Sequence, residues 1–207
     1  MAACGGDSES QADNEPEGDF PVKVTVAKFP TEQSLAQTSQ LILGVENVGE
    51  EPLPELAFTI ATVSGDADAS EQGGADGSFK IRVDQEGLAN PNRPVWILEN
   101  KFPRLIDPET DKPEPAPAGL SGGIRAQTNT FGFGALEPGD ERQVVWELTA
   151  VQAGTYTVNY RVAAGLDGNA VAVTGDGGEV KGEFVVTITN KPPRASIDDD
   201  GKVVTGR

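Results

Sequence analysis

From residue 141 to 163 apolar side chains recur at every second position. Val144, Trp146 and Leu148 fall on one side, with Val145 and Glu147 on the other. After the turn around Gly154, the residues Tyr156, Val158, Tyr160 and Val162 alternate with Thr157, Asn159 and Arg161. A period of two describes a strand with one buried face, whereas an amphipathic helix needs a period near 3.6. Nowhere does the chain hold a helical period over a useful length. The same alternation recurs in Val22, Val24 and Val26, in Leu41, Leu43 and Val45, in Leu56, Phe58 and Ile60, and in Phe184, Val186 and Ile188. Shorter strands are expected at 79–83, 95–98, around Phe131 and Phe133, and at 170–173. The segments 41–45 and 56–60 read as two antiparallel strands joined by a Gly- and Pro-rich turn.

Turn signals spaced every 8–12 residues or so between short strands point to an all-β chain, specifically an antiparallel β-sandwich. With 207 residues, 25 Gly and 15 Pro, there is room for one such domain with loose segments. The expected layout is a disordered acidic tether over 1–20, the sandwich over 21–190 and a tail over 191–207. Within the sandwich a long irregular insertion is expected over about 64–126. It opens on the low-complexity acidic stretch 64–77, and five prolines between 103 and 123 bar a regular helix or a central strand.

Composition narrows the chemistry. There is no histidine, which removes Ser-His-Asp and Cys-His nucleophile systems and the usual His-containing zinc and copper sites. One Cys and one Met leave little for a soft metal. The formal charge of −17 repels nucleic acid and anionic headgroups. No cofactor, metal or nucleic-acid partner is expected, and the chain is expected to be a monomer.

The single cysteine is Cys4. Ala2-Ala3-Cys4-Gly5 resembles the end of a bacterial lipobox, in which small residues precede a cysteine that receives the lipid. Met1 stands where that motif carries Leu, and no basic start or apolar region precedes it. A start codon placed too late, or a chain trimmed back to the lipobox, is the expected explanation; a cytosolic chain truly starting at Met1 is the alternative. Asp7, Glu9, Asp13, Glu15, Glu17 and Asp19 follow with no basic residue among them, so this segment has too little to bury to order itself. Such a polar tether after a lipidated cysteine is the usual layout of surface lipoproteins.

The run LILGVENVGEEPLPELAFTI and, much later, ALEPGDERQVVWELTAVQAGTYTVNYRV together resemble bacterial immunoglobulin-like domains of the CARDB type. Leu136, Pro138, Gly139, Gly154 and Tyr156 match that pattern, and the likeness spans roughly 22–63 and 127–190. Combined with the lipobox and acidic linker, the chain resembles actinobacterial lipoproteins of unknown function. The resemblance implies a binding, adhesion or spacer role on the extracytoplasmic face of the cell membrane, with a lipid anchor on Cys4 and an envelope protein or glycan as partner. It carries no catalytic motif.

Two regions are candidates for function. Residues 90–107 gather Arg93, Trp96, Lys101, Phe102 and Arg104 in an otherwise acidic chain. Arg and aromatic residues on loops are common binding anchors, and a secreted accessory domain binding carbohydrate or protein through this loop is the alternative function. The competing reading has Trp96, Ile97 and Phe102 pinning the insertion to the sandwich. The acidic loops form the second group: Asp66, Asp68, Glu71 and Asp76; Asp167, Asp176 and Glu179; Asp198, Asp199 and Asp200. They lack the alternating spacing of a calcium loop and read as solvated surface. A carboxylate-pair glycosidase would want an aromatic groove, yet Trp146, Tyr156 and Tyr160 are assigned to the core. The chain is therefore expected not to be an enzyme.

Overall fold

Two sheets face one another across a single apolar layer in the computed structural model, which describes residues 15–64, 79, 94–99, 103–107, 110, 124–127, 129–191, 194–197 and 203–206. In chain order the strands are β1 (Gly18–Lys28), β2 (Glu32–Ser34), β3 (Thr38–Asn47), β4 (Ala57–Ser64), β5 (Trp96–Leu98), β6 (Arg104–Ile106), β7 (Ile124–Gln127), β8 (Thr130–Gly132), β9 (Glu141–Ala150), β10 (Gly154–Ala163), β11 (Ala170–Val173), β12 (Lys181–Thr189), β13 (Arg194–Ile197) and β14 (Val203–Gly206). The first sheet has the order β11-β1-β3-β9-β5, with β6 also against β9; the second runs β2-β12-β10-β4-β8-β7. Taking β1, β3, β9 and β5 as strands A, B, E and D, and β4, β10 and β12 as C, F and G, the order is that of an immunoglobulin-like sandwich.

Aromatic rings join the two layers. Trp146 on β9 meets Phe58 on β4 with centroids 5.8 Å apart and Phe131 on β8 at 5.9 Å. The residues expected to face inward on β3, β9 and β10 do so: Leu41, Leu43, Val45, Trp146, Leu148 and Val158 are fully buried. The three alternating valines of β1 do not all follow. A bulge shifts the register between Val24 and Val26, so Val22 is buried while Val24 and Val26 are only partly so.

β3 and β4 lie in opposite sheets, so the expected two-strand unit is an arch from one layer to the other. Asn47 holds that arch. Its Nδ2 donates to the carbonyls of Glu51 and Leu136, each at 2.9 Å, and its Oδ1 accepts from Gly49 N–H at 2.9 Å. Leu53 and Leu136 exchange both backbone hydrogen bonds. Gly139 adopts φ +80°, a left-handed value that suits glycine, and donates to Asn47 O at 2.8 Å. The matching residues of the two distant motifs thus meet at one end of the sandwich. At the other end, Tyr156 donates its hydroxyl to Ala153 O at 2.9 Å, tying down the turn before β10.

The chain changes sheets after β1. Lys28 still pairs with Ile42 of β3; Pro30 follows, and β2 joins β12 in parallel, with Glu32 to Ser34 alongside Thr187 to Thr189. Thr187 N–H donates to Thr31 O at 2.8 Å and Leu35 N–H to Thr189 O at 3.1 Å. Further differences from the sequence reading concern short elements. β1 opens at Gly18, ahead of the boundary at 21. β6 forms inside the stretch read as irregular, because Pro103 precedes it instead of interrupting it and β6 lies beside only one described neighbour, β9. The tail contains an antiparallel hairpin, β13 with β14. Of the strand expected at 79–83, residues 80–83 lie outside the described residues.

Candidate functional site

β5 and β6 run one after the other along the same side of β9. Trp96 pairs with Ala150 and Leu98 with Leu148; Arg104 then pairs with Val145 and Ile106 with Gln143. The described part of 90–107 therefore supplies an interrupted edge strand. Its two described candidates point to opposite faces of the sheet. Trp96 is only 1% exposed, its ring set 5.6 Å from Phe29 and 5.7 Å from Tyr156. The indole N–H donates to Gln33 Oε1 at 2.8 Å, and Gln33 Nε2 donates to Pro30 O at 2.9 Å. Arg104 sits on the outer face, its Nη2 2.6 Å from Glu147 Oε1. Arg93, Lys101, Phe102 and Cys4 lie outside the described residues.

Through these contacts Trp96 braces the crossover between sheets, and the crossover shapes an open cleft. Because β1 leaves the first sheet at Lys28, the start of β3 has no β1 neighbour. A cavity of about 870 Å³ opens there between Phe29 and Pro30, Gln37 with the start of β3, and Phe184 of β12. Phe29 and Phe184 meet edge to face at 6.1 Å. Ser39 also lines the cleft, and its buried Oγ has no hydrogen-bond partner. Lys28 lies on one rim and Glu147, engaged by Arg104, on another. The lining holds apolar walls, amides and hydroxyls, which suits docking more than proton transfer.

The ionisable groups with shifted behaviour serve the fold. Burial raises the Glu55 carboxyl above its ordinary range, against the hydrogen bonds it accepts from Gly134 and Phe133 and the nearby Arg142 charge. Arg142 in turn donates to the carbonyls of Phe133 and Ala135 at 2.7 and 2.9 Å. Burial likewise raises the Tyr156 and Tyr160 hydroxyls. Among the acidic loops, Asp176 accepts from Thr174, and Glu179 is paired with Lys181 and Arg161. Asp66, Asp68, Glu71, Asp76 and 198–200 lie outside the described residues. Among the described residues, no group of three or more Asp, Glu, Cys or His side chains converges to hold a metal.

No family model matches the chain, and no curated protein matches it. Solved structures do resemble it. The CARDB domain of a Pyrococcus furiosus protein, solved in complex with di-metal ions, is 13% identical with a TM-score of 0.41, over 84% of this chain and 94% of that one. The bacterial hydrophobin BslA is 12% identical with a TM-score of 0.39, over 86% and 100%. A cohesin module from a Clostridium perfringens family 33 glycoside hydrolase is 11% identical with a TM-score of 0.38, over 83% and 98%. At these scores the likeness carries no argument about what this chain binds.

Proposed function

We propose that the chain is a non-catalytic binding or structural module of the bacterial cell envelope, anchored at the extracytoplasmic face by a lipid on Cys4. The observation that carries the non-catalytic part is where the chemistry-bearing side chains go. Trp96, Tyr156, Glu55 and Arg142 are all engaged in holding the crossover, the β10 turn and the 133–135 loop. What remains at the surface is open cleft and sheet face. The anchoring part is supported by the sequence order of lipobox, acidic tether and first strand. A reading in which 90–107 itself grips a ligand loses one of its two aromatic candidates, since the Trp96 ring is inside the sandwich.

The test is mass spectrometry of the N-terminal peptide from the native organism, with fractionation of a Cys4→Ala variant beside it. Expected are a diacylglyceryl mass on Cys4 and release of the variant from membranes. An intact Met1 with a free Cys4 thiol would overturn the anchored reading.

A further inference from the structure

The strand register builds a second concavity, far less visible in the sequence, on the outward face of β4, β10 and β12. Arg161 stands between Thr59 on one neighbour and Lys181 on the other; Asn159 stands between Ala61 and Glu183. These six residues form two rows of three, with directly opposed Cβ atoms about 5 Å apart. Together with Tyr160 and Gly182 they enclose a cavity of about 610 Å³, within the usual size of ligand pockets. Tyr160 and Gly182 pair across β10 and β12, and on the inward side the Tyr160 ring lies over Gly182 and against Phe184.

Asparagine is poorly suited to a central strand, and β10 is flanked on both sides. Asn159 nevertheless occupies its outward row, and its Nδ2, buried in the cavity lining, has no hydrogen-bond partner. A shielded donor left unpaired calls for a physical reason. Glu183 is exposed and likewise has no partner among the described residues. Arg161 and Lys181 share Glu179, at 3.6 and 2.7 Å.

We propose that this face is a binding site for a neutral glycan, a partner that deepens the binding-module reading and rests on it. Donors from Asn159, Arg161 and Lys181 stand beside acceptors from Glu183 and the Asn159 Oδ1. Sugar hydroxyls both give and accept hydrogen bonds, so they satisfy such a mixed array. The two cations face two carboxylates, Glu179 and Glu183, which leaves no local surplus of positive charge for a uronate or phosphate. The overall −17 charge repels anions further.

The test is a titration of the full 207-residue chain, followed by amide NMR, with cellohexaose, maltohexaose, mannohexaose and chitohexaose at millimolar concentration. At least one saccharide is expected to give saturable shifts at Thr59, Asn159, Arg161, Lys181 and Glu183. Asn159→Ala and Glu183→Gln should each weaken that binding about tenfold, the loss of roughly one strong hydrogen bond. Glu183 is exposed, so its variant keeps the test decisive should Asn159→Ala fold poorly. Absence of shifts with all four saccharides, or shifts unchanged in both variants, overturns the proposal. So does a lysine-rich peptide that moves these amides when the saccharides do not, which would give the face to a protein partner. Binding is measured on purified chain and is indifferent to lipid. Binding without a lipid on Cys4 overturns the anchoring alone, and a lipidated chain without binding overturns the glycan site alone.

Discussion

Truncating Trp96 separates a core brace from a ligand anchor. The ring is 1% exposed and packs against Phe29 and Tyr156, and its N–H is the donor to buried Gln33. Removing a buried tryptophan side chain costs about 3–5 kcal/mol. Stranding Gln33 Oε1 adds about 1–3 kcal/mol. Trp96→Ala should therefore lose about 4–8 kcal/mol of a total that is typically 5–15 kcal/mol. The assay is urea unfolding followed by the fluorescence of Trp146, the second of the two tryptophans. With a slope of about 1–3 kcal/mol per molar urea, the midpoint should fall by more than about 1 M, or the variant should be unfolded without denaturant. Trp96→Phe keeps an aromatic ring but removes the donor, and should lose only about 1–3 kcal/mol. An unchanged midpoint in Trp96→Ala would refute the bracing role and return Trp96 to the binding surface.

Tyr156→Phe removes the hydroxyl that holds Ala153 O and should lower stability by about 1 kcal/mol, read as a small midpoint shift. Arg104→Ala breaks an ion pair whose side chains are 43% and 25% exposed, so its unfolding midpoint should match the parent within about 0.5 kcal/mol. Burial raises the Glu55 carboxyl in the folded chain, so that state takes up its proton at higher pH than the unfolded chain does. The stability contribution of this group is then fullest below the ordinary carboxylate value and is lost as pH climbs through the folded one. Glu55→Gln keeps an acceptor for Gly134 N–H, and urea midpoints measured from about pH 4 to about pH 7 should lose that component of the decline.

The long strands were legible because burial on one face leaves a period of two, as in Val144, Trp146 and Leu148. The short ones were not. β2 is Glu-Gln-Ser, chosen by a sheet change and by the Trp96–Gln33 hydrogen bond, neither of which leaves a local pattern. The β1 bulge follows from register against β3, a partner about twenty residues away. The sequence marks Trp96 but leaves its direction open between solvent and core. The alternation puts Asn159 and Arg161 outward, yet their grouping with Lys181 and Glu183 needs the β10–β12 register. The one available signal was an asparagine in the middle of an otherwise well-formed strand.

The parallel seam between β2 and β12 has a mechanical consequence. Tension applied between the two ends of the chain draws β2 and β12 past each other lengthwise. The rungs at Thr31–Thr187 and Leu35–Thr189 are then loaded in shear and resist together. β1, pulled from Gly18, is held along its length by its antiparallel pairing with β3 and its parallel pairing with β11. Single-molecule stretching from the two termini should show an unfolding force that Pro substitution at Leu35, which removes one seam donor, lowers. A module built this way resists being drawn out lengthwise at the β2–β12 seam.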